Sequence, residues 1–249
     1  MEFPALLRLI DERSKAFHAA IAAAPSLGVP VPTCPGWTLF DLAQHLSEGR
    51  RKWAGIVDAG PSGEPVTPSP TPAPRIREAL LFWLDATTRE LLHSLERAGP
   101  ERGCWTWWES SETPQNAGSV ARRQLHEVAV HTYDAQAAIG APQPLPEAIA
   151  LDGVDEFLAT CCAGAYHWPH PPAALDYRAT EGRSWRLALS ADEVQLIRDP
   201  SPDSPADATV RGAASELVLV LYCRIPIDAV QVEGDRRQFD LLIDWEPDA

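Results

Sequence analysis

The stretch RRQLHEVAVHTYDAQAA, residues 122–138, concentrates side chains able to do chemistry. Read as a helix, it places Arg123, Glu127, His131 and Asp134 at i, i+4, i+8 and i+11, along one face. Val128, Ala135 and Ala138 flank that face, so the spacing predicts that it turns inward. A charged stripe facing an apolar interior is costly unless its members pair or bind an ion. A glutamate and a histidine four residues apart reach over adjacent turns and can ligate one metal. The same spacing also suits a buried Glu127–His131 hydrogen bond supported by Arg123, and on spacing alone both readings stand. This is not the zincin pattern: His126 and His131 are five residues apart and diverge around the helix.

A third ligand has to come from another segment. His45 is the candidate, one residue before Leu46 at the edge of an apolar stripe, although such a histidine also suits a satisfied core position. His18 and His93 lack an evident partner, His167 and His170 lie in the proline-rich run WPHPP, and His126 points away from the Glu127 face.

Four helices are predicted to position these groups. The first covers about Pro4 to Ala24, with Leu6, Ile10, Phe17 and Ile21 at core spacing. The second starts after VPVPTCPGW, where Thr38 and Asp41 form a capping box, and it buries Leu42, Leu46, Trp53 and Val57. A proline-rich loop, Ala59 to Pro74, is expected to be exposed. The third runs from Arg75 to Ala98, and the fourth from about Asn116 to Ile139, ended by Gly140. Four helices of this length fit an antiparallel bundle. Beyond the APQPLP linker, a helix at Glu147–Ala163 precedes a strand hairpin in RSWRLALSADEVQLIRD. DATVRGA reads as a strand, SELVLVLYCR as a helix, IDAVQVEGD as a strand and RRQFDLLIDW as a closing helix. The fold class expected is α+β, a helical bundle followed by a smaller domain with an antiparallel sheet.

Three runs carry a family resemblance. CPGWTLFDLAQHL and HEVAVHTYDAQAAIG resemble the second-helix and fourth-helix motifs of the mycothiol-dependent maleylpyruvate isomerase family, a branch of the DinB-like metal-binding bundles. WRLAL and ADATVRGAASELVLVLYCRIPIDAVQVEGD resemble that family's C-terminal domain. Together they span nearly the whole chain in order. The resemblance implies a DinB-like bundle at residues 1–141 and an α+β domain at 142–249. It implies His45, Glu127 and His131 as metal ligands, and mycothiol, a cysteine-bearing thiol, as cosubstrate for isomerisation or thiol transfer. It also implies a functional arginine brought from the C-terminal domain over the metal pocket. Arg224 is the positional match, with Arg211 nearby, and the family's small glycine before that arginine is Cys223 here.

Two imidazoles and a carboxylate leave a divalent ion with open positions, the pattern of a catalytic site. Zn2+ is the first choice by ligand type, with nickel or iron suited to the same set. An ion of this kind strips the proton from a thiol, which is mostly protonated at neutral pH when free. The thiolate would add to an activated double bond of a small electrophile and then leave, or stay attached. Arg224 or Arg123 can grip a substrate carboxylate bidentately. Asp134 can orient a ligand or bind sugar hydroxyls of the thiol. Two other readings remain: a hydrolase using metal-activated water, and a ligand-binding bundle without catalysis.

Composition narrows the classes. Among 249 residues the formal net charge is −14, which argues against nucleic acid and anionic membrane surfaces as partners. The start, MEFPALLRLIDERSK, has no signal-peptide pattern, so a cytoplasmic protein is expected, with a monomer or homodimer as the separate expectation for its assembly. Five cysteines are then free thiols. Nineteen of the 21 basic residues are arginine, with Lys15 and Lys52 the exceptions, as in high-GC actinobacterial genomes.

Overall fold

The computed structural model describes residues 1–61, 72–201 and 204–245. Its chain divides into two compact units, residues 1–107 with 115–145, and residues 108–114 with 146–249. Most of the expected loop at Ala59–Pro74 lies outside the described residues. Among the described residues no helix is long and apolar enough to cross a membrane.

The first unit is a bundle of α1 (Phe3–Ala23), α2 (Leu39–Ala59), α3 (Arg77–Ala98) and α4 (Ala117–Ala138). α1 packs chiefly on α4, and α2 on α3. The stripes expected from heptad-like spacing are the ones buried: Ile10, Phe17 and Ile21 on α1, Leu42, Leu46 and Val57 on α2, Leu80, Leu84, Leu91 and Leu95 on α3. Thr38 caps α2 as expected, with its backbone N–H donating to Asp41 Oδ2 at 2.9 Å. Asn116 accepts from the Ser119 N–H at 2.9 Å to cap α4, and Gly140 ends it at φ 73°.

One member of the α2 stripe is not apolar. Arg50 falls between Leu46 and Trp53 and is only 2% exposed. Its guanidinium donates to Ser14 Oγ on α1 at 2.7 Å and to Thr88 Oγ1 on α3 at 2.8 Å, so one side chain ties three helices together. Burial pulls its pKa down to about 10, against the pull of Asp85 and Glu127.

The second unit contains α5 (Glu147–Phe157), β1 (Ala173–Ala179), β2 (Ser184–Leu189), β3 (Val194–Arg198), β4 (Ala208–Gly212), α6 (Ala214–Leu221), β5 (Gln231–Gly234) and α7 (Arg237–Asp244). The helix expected through Ala163 closes earlier and widens into a π-type turn at Leu158–Cys162. The sheet order is β3-β2-β1-β4-β5. It is mixed rather than antiparallel: β1 and β4 run parallel, and the other three pairings are antiparallel. β1, the central strand, has no counterpart in the sequence reading. Its middle residues Asp176 and Arg178 break the apolar pattern, and only the fold explains them. Asp176 is fully buried and bridges bidentately to Arg186 on β2, directly across the register, at 2.6 and 3.0 Å.

α6 ends in a left-handed residue, Cys223, at φ 56°. The Cys223 N–H bonds Val220 O at 2.9 Å and the Arg224 N–H bonds Leu219 O at 2.7 Å, the pattern of a Schellman close. A side chain there carries a penalty of about 1–2 kcal/mol that glycine avoids, which gives a backbone reason for the glycine of the resembling family.

Two stability outcomes follow from these geometries. Cys223→Gly should stabilise the protein by about 0.5–1 kcal/mol in denaturant titration, after the extra chain entropy of glycine is deducted; a loss of stability would refute the strain. Arg50→Met should stay within about 1 kcal/mol of the parent, because Ser14 and Thr88 keep their bonds to Ile10 O and Leu84 O. Arg50→Ala should cost about 2–4 kcal/mol by leaving a cavity. Equal damage in both would mean that the hydrogen bonds, not the side-chain volume, hold the helices.

Candidate metal centre

His45 projects from α2, and Glu127 and His131 from α4, and the bundle packing brings the three together. Glu127 Oε1 lies 3.2 Å from His45 Nε2 and 3.2 Å from His131 Nε2. The imidazole rings meet edge-to-face with centroids 5.1 Å apart. Burial is graded across the set: the His131 side chain is 8% exposed, Glu127 27% and His45 45%. The triad therefore sits at a rim of the bundle, with its imidazole on α4 inside and its imidazole on α2 reaching solvent.

Both nitrogens of His131 face carboxylates. Nδ1 lies 2.8 Å from Asp134 Oδ2, one turn along α4, and Nε2 faces Glu127. Asp134 is completely buried. The Thr33 hydroxyl donates to its Oδ1 at 2.6 Å, and the Cys34 thiol lies 3.5 Å from its Oδ2. Of the two roles open to Asp134, orienting His131 suits this burial; a carboxylate with no surface does not receive a sugar hydroxyl.

Electrostatics sharpen the point. Burial alone would depress His131, yet hydrogen bonds with Asp134 and Glu127 outweigh it and raise its pKa to about 9. Burial likewise works against the Glu127 carboxylate, but the His131 and His45 contacts and the Arg123 charge hold it well below the usual range. With Nδ1–H given to Asp134, the Nε2 lone pair and Glu127 Oε1 are two acceptors in contact. Something positive has to sit between them, a proton or a metal ion.

The donor set fits an ion. Tetrahedral bonds of about 2.0–2.2 Å set neighbouring donor atoms roughly 3.3–3.5 Å apart, close to the separations seen here. A second set, Cys34, His131 and Asp134, also has its donor atoms within 4.8 Å of one another. It uses the other nitrogen of His131 and an Asp134 already taken by Thr33. A carboxylate on the far nitrogen is the ordinary support of a ligating histidine, so the His45 set is the better centre.

Arg123, on the same α4 face, is half-buried with its guanidinium 5.7 Å from the Trp107 ring centroid. Arg224 belongs to the second unit, where its Nη1 donates to Tyr222 O at 2.8 Å. Sequence reasoning missed Thr33, Cys34 and Trp37, the last with its ring 4.9 Å from that of His45. Their signal was present as TCPGW just before α2, but nothing local says that it meets residue 134.

Comparison with known proteins agrees with this architecture. A family described as "Mycothiol maleylpyruvate isomerase N-terminal domain" matches residues 7–136. The "MDMPI C-terminal domain" matches residues 148–241. The chain belongs to the mycothiol-dependent maleylpyruvate isomerase family. Two crystal structures of a mycothiol-dependent maleylpyruvate isomerase, one of a histidine-to-alanine mutant, share the fold. Their TM-scores are 0.60 and 0.59 at 16% and 15% identity, and each match covers 94% of this chain and 95% of the other. No protein of curated function matches the chain.

The raised His131 pKa makes a pH prediction for the metal-free protein. A base with a raised folded pKa contributes stability that is complete below its unfolded value near 6.5 and vanishes as pH passes about 9. The contribution is on the order of 3 kcal/mol. Metal-free protein should therefore melt at lower temperature as pH rises from 6.5 to 9.5, and His131→Asn should flatten that slope. A melting temperature that climbs across this window would contradict the assignment.

Proposed function

We propose that this chain is a metal-dependent enzyme that uses mycothiol on a small electrophile, as an isomerase or thiol transferase. The observation that supports it most is the convergence of His45 Nε2, Glu127 Oε1 and His131 Nε2 at a solvent-reaching rim. Family membership supplies the thiol. His45, Glu127 and His131 would hold the ion, and zinc is the ion of choice for two imidazoles and one carboxylate. When bound, a divalent ion lowers the pKa of a coordinated thiol and so supplies a nucleophile at neutral pH.

The chain's own groups do the rest. Asp134 keeps the His131 proton on Nδ1 and turns Nε2 toward the site. The half-exposed His45 leaves the solvent side open for thiol and substrate. In an isomerisation the thiol sulfur adds to an activated double bond, the resulting single bond rotates, and the sulfur leaves, returning the thiol. In a transfer the new carbon–sulfur bond remains. Electrophiles of this kind often carry carboxylates, and arginine binds those in a two-pronged fork. Arg224, matched through the family's C-terminal motif, is our choice for that grip, with Arg123 as a second cation beside Glu127.

The test is turnover of maleylpyruvate, the compound in the family's name, and of other carboxylated electrophiles, with mycothiol and with an unrelated thiol. We expect one ion per chain, loss of ion and turnover in His45→Ala, and dependence on mycothiol. Arg224→Lys should keep the ion and the fold while turnover drops about a hundredfold, the scale of losing one positioning contact. Turnover indifferent to metal and to thiol overturns the proposal, and full turnover in Arg224→Lys removes that residue from it.

A further inference from the structure

The turn before α2, residues 33–37, lies against both histidines of the centre. Thr33 reaches α4, where its hydroxyl donates to Asp134 Oδ1 at 2.6 Å, and Asp134 in turn holds His131. Four residues later, the Trp37 ring lies 4.9 Å from the His45 ring, tilted 58° to it. The turn itself is closed by backbone bonds. Val31 N donates to Trp37 O at 2.9 Å, Cys34 N to Val31 O at 3.1 Å and Trp37 N to Cys34 O at 3.0 Å. Gly36 adopts φ 83°, a left-handed position that admits glycine without strain. The capping box of Thr38 and Asp41 then joins the turn to the first turn of α2. A short, internally bonded segment thus spans from the support of one histidine to the face of the other.

We propose that this turn is the outer framework of the metal centre, with Thr33 and Trp37 as positioning residues for His131 and His45. The inference rests on the metal reading of His45, Glu127 and His131. Its physical content is a chain of dependence. Asp134 is buried, so its Oδ1 needs donors, and the Thr33 hydroxyl donates to it at 2.6 Å. With Oδ1 fixed, Oδ2 is aimed at His131 Nδ1, which leaves Nε2 unprotonated and directed at the ion. Removing the Thr33 hydroxyl takes a short hydrogen bond from Oδ1, loosens the carboxylate and weakens the tautomer preference. Trp37 does a cruder job, limiting the rotation of the exposed His45 ring. A direct hydrogen-bond partner of a metal ligand, as Asp134 is of His131, is worth about 10–100-fold in metal affinity, and Thr33, one bond further out, is expected at the lower end of that range.

The measurement is zinc affinity by competition with a chromophoric chelator, together with the melting curve of each metal-free variant. We expect Thr33→Val to lose at least tenfold in affinity and Thr33→Ser to restore it within threefold, since only the hydroxyl is at issue. In an Asp134→Asn background, Thr33→Val should cost little more, because the same chain is already broken. Trp37→Leu should weaken zinc by a few fold. Cys34→Ala should leave affinity within threefold, because the thiol that donates to Asp134 Oδ2 at 3.5 Å is a much weaker donor than a hydroxyl. Long-range nitrogen–proton NMR of the zinc-loaded parent needs no variant: His131 should carry its proton on Nδ1.

The failures separate cleanly. If the parent binds no zinc, the metal reading falls and takes this inference with it. If the parent binds zinc and Thr33→Val binds equally, or if His131 is protonated on Nε2, the inference alone falls. Loss of the ion in Cys34→Ala would identify Cys34, His131 and Asp134 as the site and would overturn both.

Discussion

An imidazole held between two carboxylates is the constraint on which the first unit depends. His131 has Asp134 on one nitrogen and Glu127 on the other, at 2.8 and 3.2 Å, with almost no contact with solvent. Two anions flanking one neutral ring in a bundle interior are unstable without a cation, because burial removes the water that would screen them. A proton on His131 is one answer and a metal ion is the other, and the two compete for the same nitrogen. The remaining features look like consequences. Thr33 satisfies the outer oxygen of Asp134. Arg123 adds positive charge near Glu127. His45 supplies a third donor on the open side.

Arg50 is a second buried charge, and it is handled in another way. Among the described residues no carboxylate bonds it; two hydroxyls on neighbouring helices do. Glu127 nevertheless acts on its charge from within the bundle. Of the bundle's arginines, Arg123 is the one whose charge, with the His131 and His45 contacts, helps to keep the Glu127 carboxylate ionised despite its half-burial. A ligand that stays ionised is ready for a metal without waiting for deprotonation, whereas His131 has to release a proton first. In the proposed metal centre, uptake would thus be gated at the imidazole and not at the carboxylate.

How much of this was legible in the sequence depended on distance along the chain. Helix faces were readable because i, i+4 periodicity is local: the α4 stripe and the cores of α1, α2 and α3 follow from it. So did the Thr38–Asp41 cap, a four-residue signal. The support of Asp134 was not readable, because Thr33 lies 101 residues away and only packing joins them. Arg50 stood in plain view within an apolar stripe, where a charge signals a buried bond network. β1 escaped for a different reason. A central strand is expected to be continuously apolar, and Asp176 with Arg178 break that pattern; Arg186, which neutralises Asp176, lies on the next strand. The parallel pairing of β1 with β4 is likewise set by the path between them, since β2 and β3 intervene in sequence and occupy the other edge of β1.

The two histidines also differ in how firmly each is held, and that difference bears on how the centre assembles. His131 is buried, hydrogen-bonded on Nδ1 and four residues from Glu127 on one rigid helix. Its geometry relative to Glu127 is fixed by α4 alone, before α2 is in place. His45 has an aromatic neighbour and a carboxylate contact but almost half its side-chain surface in water. Pre-organised donors lose little entropy on binding, and mobile ones lose more. The α4 pair therefore supplies a standing two-donor edge, and α2 closes the third side. In the proposed centre, an ion approaching from solvent would meet the half-exposed His45 first and the α4 pair second. Opening and closing of such a centre would accordingly follow motion of the His45 ring rather than of α4, and the Trp37 ring is one of the contacts that limit that motion.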